Sequence, residues 1–195
     1  MRGAMFWSPR GGRLGRGFDR KGQVWMKGIA AAIGSAALAA STWTLAQPAS
    51  VPERQVELPA DAGLVIGHRA RQGRAVLVEL VPAGETVQNF SRMVTLQTMP
   101  GLASVPARTF LDTFAERYRS ACPRSTATIL DLNGPANGLR LDCPRHPATA
   151  KAETVFARLI DMSPDRAMVQ ITMRFVPMPN DSRWARDYLA RVAVR

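Results

Sequence analysis

The sequence predicts an α+β domain: an antiparallel β-sheet with two helices packed on one side, tied by one disulfide. Three observations carry this. The element signals run strands, helix, strands, helix, without the strand-by-strand alternation that a parallel sheet needs. The strand signals come in pairs joined by short turns rich in Gly, Asn or Pro, as hairpins do. Cys122 and Cys143, the two cysteines of the chain, stand at the end of the first helix and at the end of a hairpin.

The domain follows a leader. From Gly28 to Leu45 the chain reads GIAAAIGSAALAASTWTL, uncharged and weakly apolar, with Lys27 before it and Ala46-Gln47-Pro48 after it. Thr44 and Ala46 supply the small residues that signal peptidase needs, so cleavage is expected after Ala46. MKGIAAAIGSAALAAS, beginning at Met26, is a compact signal peptide by itself, which makes Met26 a candidate true start. An uncleaved anchor is the alternative, because a run of roughly 18 residues is at the short end of a membrane span. The expected organisation is leader over 1–46, a short Pro-containing tether over 47–55 and one α+β domain over 56–195. Charge divides along the same line. Of a net charge of +11, residues 1–46 hold seven bases and one acid, leaving nineteen bases and fourteen acids for the rest. Half of the basic excess thus belongs to the leader, and no basic stripe interleaved with exposed aromatics marks a nucleic-acid partner.

Each element has a local reason. Leu64–His68 and Ala75–Val81 are short β-rich runs, with Gly73 suited to the turn between them. After the turn Pro82-Ala83-Gly84-Glu85, the run Phe90–Met99 alternates so that Met93, Thr95, Gln97 and Met99 share one face, a fairly polar one. Pro100-Gly101 ends it. Ala107, Phe110, Leu111, Phe114 and Tyr118 then recur at helical spacing, with Pro106 in the first turn and Arg117 and Arg119 in the last. That helix delivers Cys122, and Pro123 stops it. TATILDL and GLRLDC flank the turn-rich NGPANG and form a second hairpin ending on Cys143. TVFARLIDM and RAMVQITMRFVP, split by Ser163-Pro164-Asp165, read as two further strands. Trp184, Tyr188, Leu189 and Val192 share one face of a final helix, with Asp181 or Ser182 available as its cap. Packing on the sheet, rather than binding at a membrane surface, is the expected use of that face.

Export decides how the cysteines read. In an oxidising compartment two cysteines of a small domain pair, and closing a loop of about twenty residues contributes ~3 kcal/mol. A metal site built from Cys122, Cys143 and His146 lacks a fourth ligand, since His68 lies in a distant hairpin. A Cys/His nucleophile fails because a disulfide sulfur is no nucleophile. No metal and no cofactor are expected. The nucleophile-elbow, zinc-helix and phosphate-loop motifs are all missing. Glu79, Glu85, Asp131, Asp142 and Glu153 are candidate acids whose convergence the sequence leaves open. In residues 47–195 arginine outnumbers lysine eighteen to one; Arg140, Arg158 and Arg174 fall within expected strands, where one sheet face would collect them.

RAVLVELVPAGETVQNFSRMVTLQTM, two spaced cysteines and then KAETVFARLIDMSPDRAMVQITMRF together resemble a group of small exported proteobacterial proteins. The shared order is a strand with Glu, a Gly-Glu-Thr turn, an aromatic residue, a Met-x-Thr-x-Gln strand, paired cysteines and a Lys-x-Glu before the last strands. Phe90 departs from the Trp expected in the aromatic slot, and Asp161 stands where Gly often follows the Ile. The resemblance implies periplasmic location and architecture, transfers no catalytic residue, and marks Glu85, Phe90, Thr95, Gln97, Lys151 and Glu153 for inspection. The reading that follows is an exported, non-enzymatic binding or envelope accessory module, its partner another envelope protein, touching the membrane only through an uncleaved leader. The polar face at Thr95 and Gln97 is its positive hint. The alternative is a small periplasmic hydrolase or transferase using a carboxylate such as Glu79 or Glu153. His146, in a Pro-flanked loop just past the tie, has no assigned role.

Overall fold

The computed structural model describes residues 54–195 apart from 62, 133, 135 and 136; the expected leader and most of the tether lie outside the described residues. Two antiparallel meanders make one seven-stranded sheet. The first comprises β2 (Leu64–Gln72), β3 (Ala75–Pro82) and β4 (Arg92–Met99); the second comprises β5 (Thr126–Leu130), β6 (Gly138–Cys143), β7 (Glu153–Met162) and β8 (Asp165–Met173). They join where β4 pairs with β8, giving the order β2-β3-β4-β8-β7-β6-β5. The link between the meanders carries a 3-10 turn (Leu102–Ser104) and helix α1 (Ala107–Ala121). Helix α2 (Pro179–Arg191) follows β8. Two-residue strands at the ends of the domain, β1 (Val56–Glu57) and β9 (Ala193–Val194), pair with each other.

The antiparallel α+β class and the Cys122–Cys143 disulfide stand, but the helices do not share a side. Alternate residues of β7 divide between two cores. Val155, Ala157 and Leu159 pack with Leu111 and Ala115 of α1. Phe156, Ile160 and Met162 pack with Ala185, Tyr188 and Leu189 of α2. Since successive strand residues point to opposite faces, α1 and α2 cover opposite faces. The signal was in TVFARLIDM, which is apolar on both phases of its alternation, as a strand covered on both faces must be. The expected turn at Gly73 is present, with φ of 58° that glycine adopts without strain. Helix α2 begins earlier than Asp181: Pro179 occupies its first turn, and the Asp181 carboxylate accepts a hydrogen bond from the Met178 N–H at 2.9 Å.

Candidate binding face

Register places four polar side chains in one row. His68 of β2 stands opposite Glu79 of β3, Glu79 opposite Thr95 of β4, and Thr95 opposite Gln170 of β8. Directly paired residues share a face with Cβ atoms about 5 Å apart, so the row crosses four neighbouring strands. Its flanking rows hold Leu77, Gln97 and Met168 on one side and Val81, Met93 and Thr172 on the other. The row lies on the α1 face, because Ala157, the next residue in register, belongs to the α1 core.

Helix α1 covers only part of this face. Its core draws on β6, β7, Met168 of β8 and Met99 of β4, whereas Leu77 and Met93 are partly buried yet belong to neither core. The half over β2, β3 and β4 is therefore an open floor of mixed apolar and polar side chains beside the helix. Thr95 is 8% exposed. Glu79, Gln97, Gln170 and Thr172 are partly buried and His68 is exposed. None of these six makes a side-chain hydrogen bond or ion pair among the described residues, which leaves their polar groups available to a partner from outside the domain. At the outer edge a bulge between Ile66 and His68 holds Gly67, where a Cβ would lie 3.0 Å from Val87 and 3.1 Å from Val81. Glycine there leaves room for Val87, from the loop after β3, beside the fully buried Val81 at one end of the floor.

The other residues singled out in the sequence have structural partners. The Glu85 carboxylate accepts hydrogen bonds from the Ser91 N–H (2.6 Å) and hydroxyl (2.7 Å), closing the loop between β3 and β4. Those donors, with a smaller contribution from the Arg92 charge, hold its pKa below the ordinary carboxylate range. Phe90 is buried beneath the Arg174 guanidinium, 3.7 Å from the ring centroid. Glu153 accepts a hydrogen bond from the Tyr118 hydroxyl at 3.0 Å. Lys151 is exposed, and its carbonyl accepts the His146 N–H at 2.7 Å. His146 organises its own loop: its carbonyl accepts from Ala150 and its Nδ1 from Ala148. Arg140 and Arg158 do share the α2 face, but Arg174 turns to the other.

The candidate acids do not converge. Glu79 and Glu153 share a face, yet lie three strands and four residues apart in register, roughly 20 Å between Cα atoms at standard strand spacings. Asp142 is engaged by Arg140 at 2.7 Å and by the Thr154 hydroxyl at 2.8 Å. Among the described residues, no three His, Cys, Asp or Glu side chains come together in a way that fits a metal ion, and no helix is long and apolar enough to cross a membrane. An open depression of about 640 Å³ follows the outer surface of α2, lined by Arg183, Trp184, Asp187 and Arg191 among others.

No family model and no curated protein matches the chain. Among solved structures the chain is similar to that of a point mutant of the protein Mog1, with a TM-score of 0.44 and 8% identity over 70% of this chain and 81% of that one. At that distance the likeness carries no functional argument.

Proposed function

We propose that the protein is an exported, disulfide-tied, non-enzymatic binding module of the cell envelope, and that its working surface is the open half of the α1 face. One observation carries the reading: His68, Glu79, Thr95, Gln97, Gln170 and Thr172 gather on one partly covered face with no polar partners among the described residues. Polar groups that make no bonds within the fold can serve a ligand, and a few such groups set among apolar side chains fix its orientation. The separation of Glu79 from Glu153 weighs against carboxylate-pair catalysis. The leader, and the disulfide between the only two cysteines, support export.

A photo-crosslinking residue at Gln97, expressed in the native host, is expected to yield a discrete adduct with an envelope protein. The same residue at exposed Arg186 on α2 is expected to yield none. Equal capture from both positions, or none from Gln97, sinks the assignment of the face. For export, the intact mass of the mature protein should correspond to a chain beginning at Gln47, and a chain retaining residues 27–46 refutes cleavage.

A further inference from the structure

The reading of the open face as a binding surface leaves its ligand unspecified, and Glu79 narrows the choice. Every other acid among the described residues has a polar partner except Asp187, which is exposed on α2. Glu79 differs from Asp187 in being partly buried, on β3, one strand in from the edge of the sheet. The chain has eighteen arginines in residues 47–195, yet none reaches this carboxylate. The two guanidinium groups on the same face are engaged elsewhere. Arg166 bonds Asp161 and the carbonyls of Val105 and Ala103, and Arg174 lies on Phe90 with its Nη1 donating to the Gln88 carbonyl.

We infer that the open face recognises the cationic side chain of a partner protein, a lysine ammonium or arginine guanidinium, with Glu79 as its counter-charge. This rests on the face being a binding surface. The surroundings suit such a side chain in two parts. Leu77 and Met93 flank the row and offer an apolar floor for the aliphatic stem. Thr95, Gln97 and Gln170 offer neutral oxygens for the N–H groups that Glu79 does not take. The shallowness of the face selects the source. A free small amine binds well only when most of its surface is enclosed, whereas a side chain carried by a partner brings the rest of the contact with it. Charge sets the context: nineteen bases against fourteen acids in residues 47–195 repel a basic tract. The cation is therefore a single one in a neutral or acidic segment.

The test is an NMR titration of isotopically labelled full-length protein from its native host. The probes are capped pentapeptides Ala-Thr-Xaa-Thr-Ala with lysine, arginine, norleucine or glutamate at the centre, plus butylamine. The lysine and arginine peptides are expected to shift the amides of Glu79, Thr95, Gln97 and Gln170 saturably, binding about fivefold or more tighter than the norleucine and glutamate peptides. Glu79→Gln, an isosteric change at a group with no internal partner, should abolish that preference with the remaining spectrum unchanged. Asp187→Asn should leave the preference intact. A norleucine peptide that binds as well, a preference that survives Glu79→Gln, or butylamine binding as tightly as the lysine peptide each overturns the inference. An adduct at Gln97 without lysine preference leaves the face as a binding surface and removes the cation; failure of both removes both.

Discussion

At the scale of single residues, the planar guanidinium gives three of the eighteen arginines in residues 47–195 a use on aromatic rings. Arg92 stacks on Trp184 at 4.1 Å, Arg174 on Phe90 at 3.7 Å and Arg140 on Phe156 at 5.3 Å, a use that a compact ammonium serves poorly. Near the first of these, Tyr188 is fully buried and its hydroxyl has no hydrogen-bond partner among the described residues. Burial, reinforced by the Asp61 charge, pushes its pKa from 10.0 up to about 12. The folded form therefore keeps a proton that the unfolded chain releases, so this contribution is intact below pH 10 and is lost as pH rises from 10 to 12. Tyr188→Phe should leave stability at pH 7 unchanged or raise it by up to about 1–3 kcal/mol, because it removes a buried hydroxyl that has no hydrogen-bond partner among the described residues. It should also flatten the alkaline loss by roughly 2 kcal/mol. Urea titrations at pH 7, 10 and 11.5 measure both; an equally steep alkaline loss in the variant refutes the assignment. Glu85 acts at the other end of the scale. Its lowered pKa stabilises the loop above the ordinary value of 4.5 and ceases to do so as pH falls through the folded-state pKa. Glu85→Gln should therefore weaken the loop at pH 7 and remove part of the acid sensitivity below about pH 4.5, seen as amide exchange over residues 84–91. Thr95 and Gln97 were legible as a polar phase of one strand. That Glu79 lies unpaired beside them was not, since partners come from strands distant in sequence.

At the scale of elements, local rules placed α1, the Gly73 hairpin and the strand cores, because capping, periodicity and turn chemistry act within a few residues. What lay beyond them were terminal interactions supplied by other strands. The C-terminal end of α2 is an example. Arg158 of β7 donates to the carbonyls of Leu189, Ala190 and Val192 at 2.6, 3.3 and 3.1 Å, satisfying groups that a helix end leaves open. Desolvation lowers its pKa. Arg158→Met keeps the packed stem and removes the donors, so a loss of about 1.5–3 kcal/mol is expected, with amide exchange accelerated in the last turn of α2 and unchanged in α1. Uniform acceleration across both helices refutes a local cap. The disulfide ties α1 to β6 in the same long-range manner. Replacing Cys122 and Cys143 together by alanine should cost roughly 3 kcal/mol in chemical denaturation, and alkylation of the unreduced protein should label neither.

At the scale of the whole molecule, two meanders are zipped along β4 and β8 with one helix on each face, so the Glu79 row lies on the α1 side and the β1–β9 pair, through Val56, on the α2 side. The sequence shows each meander but not the seam, because any strand with two apolar phases satisfies the same pattern. It also hides the closing of the domain, where β1 and β9 are too short for periodicity to register. There Gln55 and Arg195 exchange two main-chain hydrogen bonds at 2.9 Å, and Arg195 meets Glu57 at 2.6 Å. The ion pair is exposed and contributes little. The larger consequence is that the ladder holds Val56 and Leu58 against the α2 core and brings Asp61 to the Trp184 indole N–H at 3.1 Å. Ending the chain at Val192 should release this segment, with a loss of about 1–3 kcal/mol from the apolar surface it uncovers, and should raise exchange across residues 54–61 while β4 and β8 stay protected. Since the clasp belongs to the α2 side, the truncated protein should retain the lysine preference of the Glu79 row. Loss of that preference in a truncated protein whose β4 and β8 remain protected would show that the two faces are coupled through the sheet.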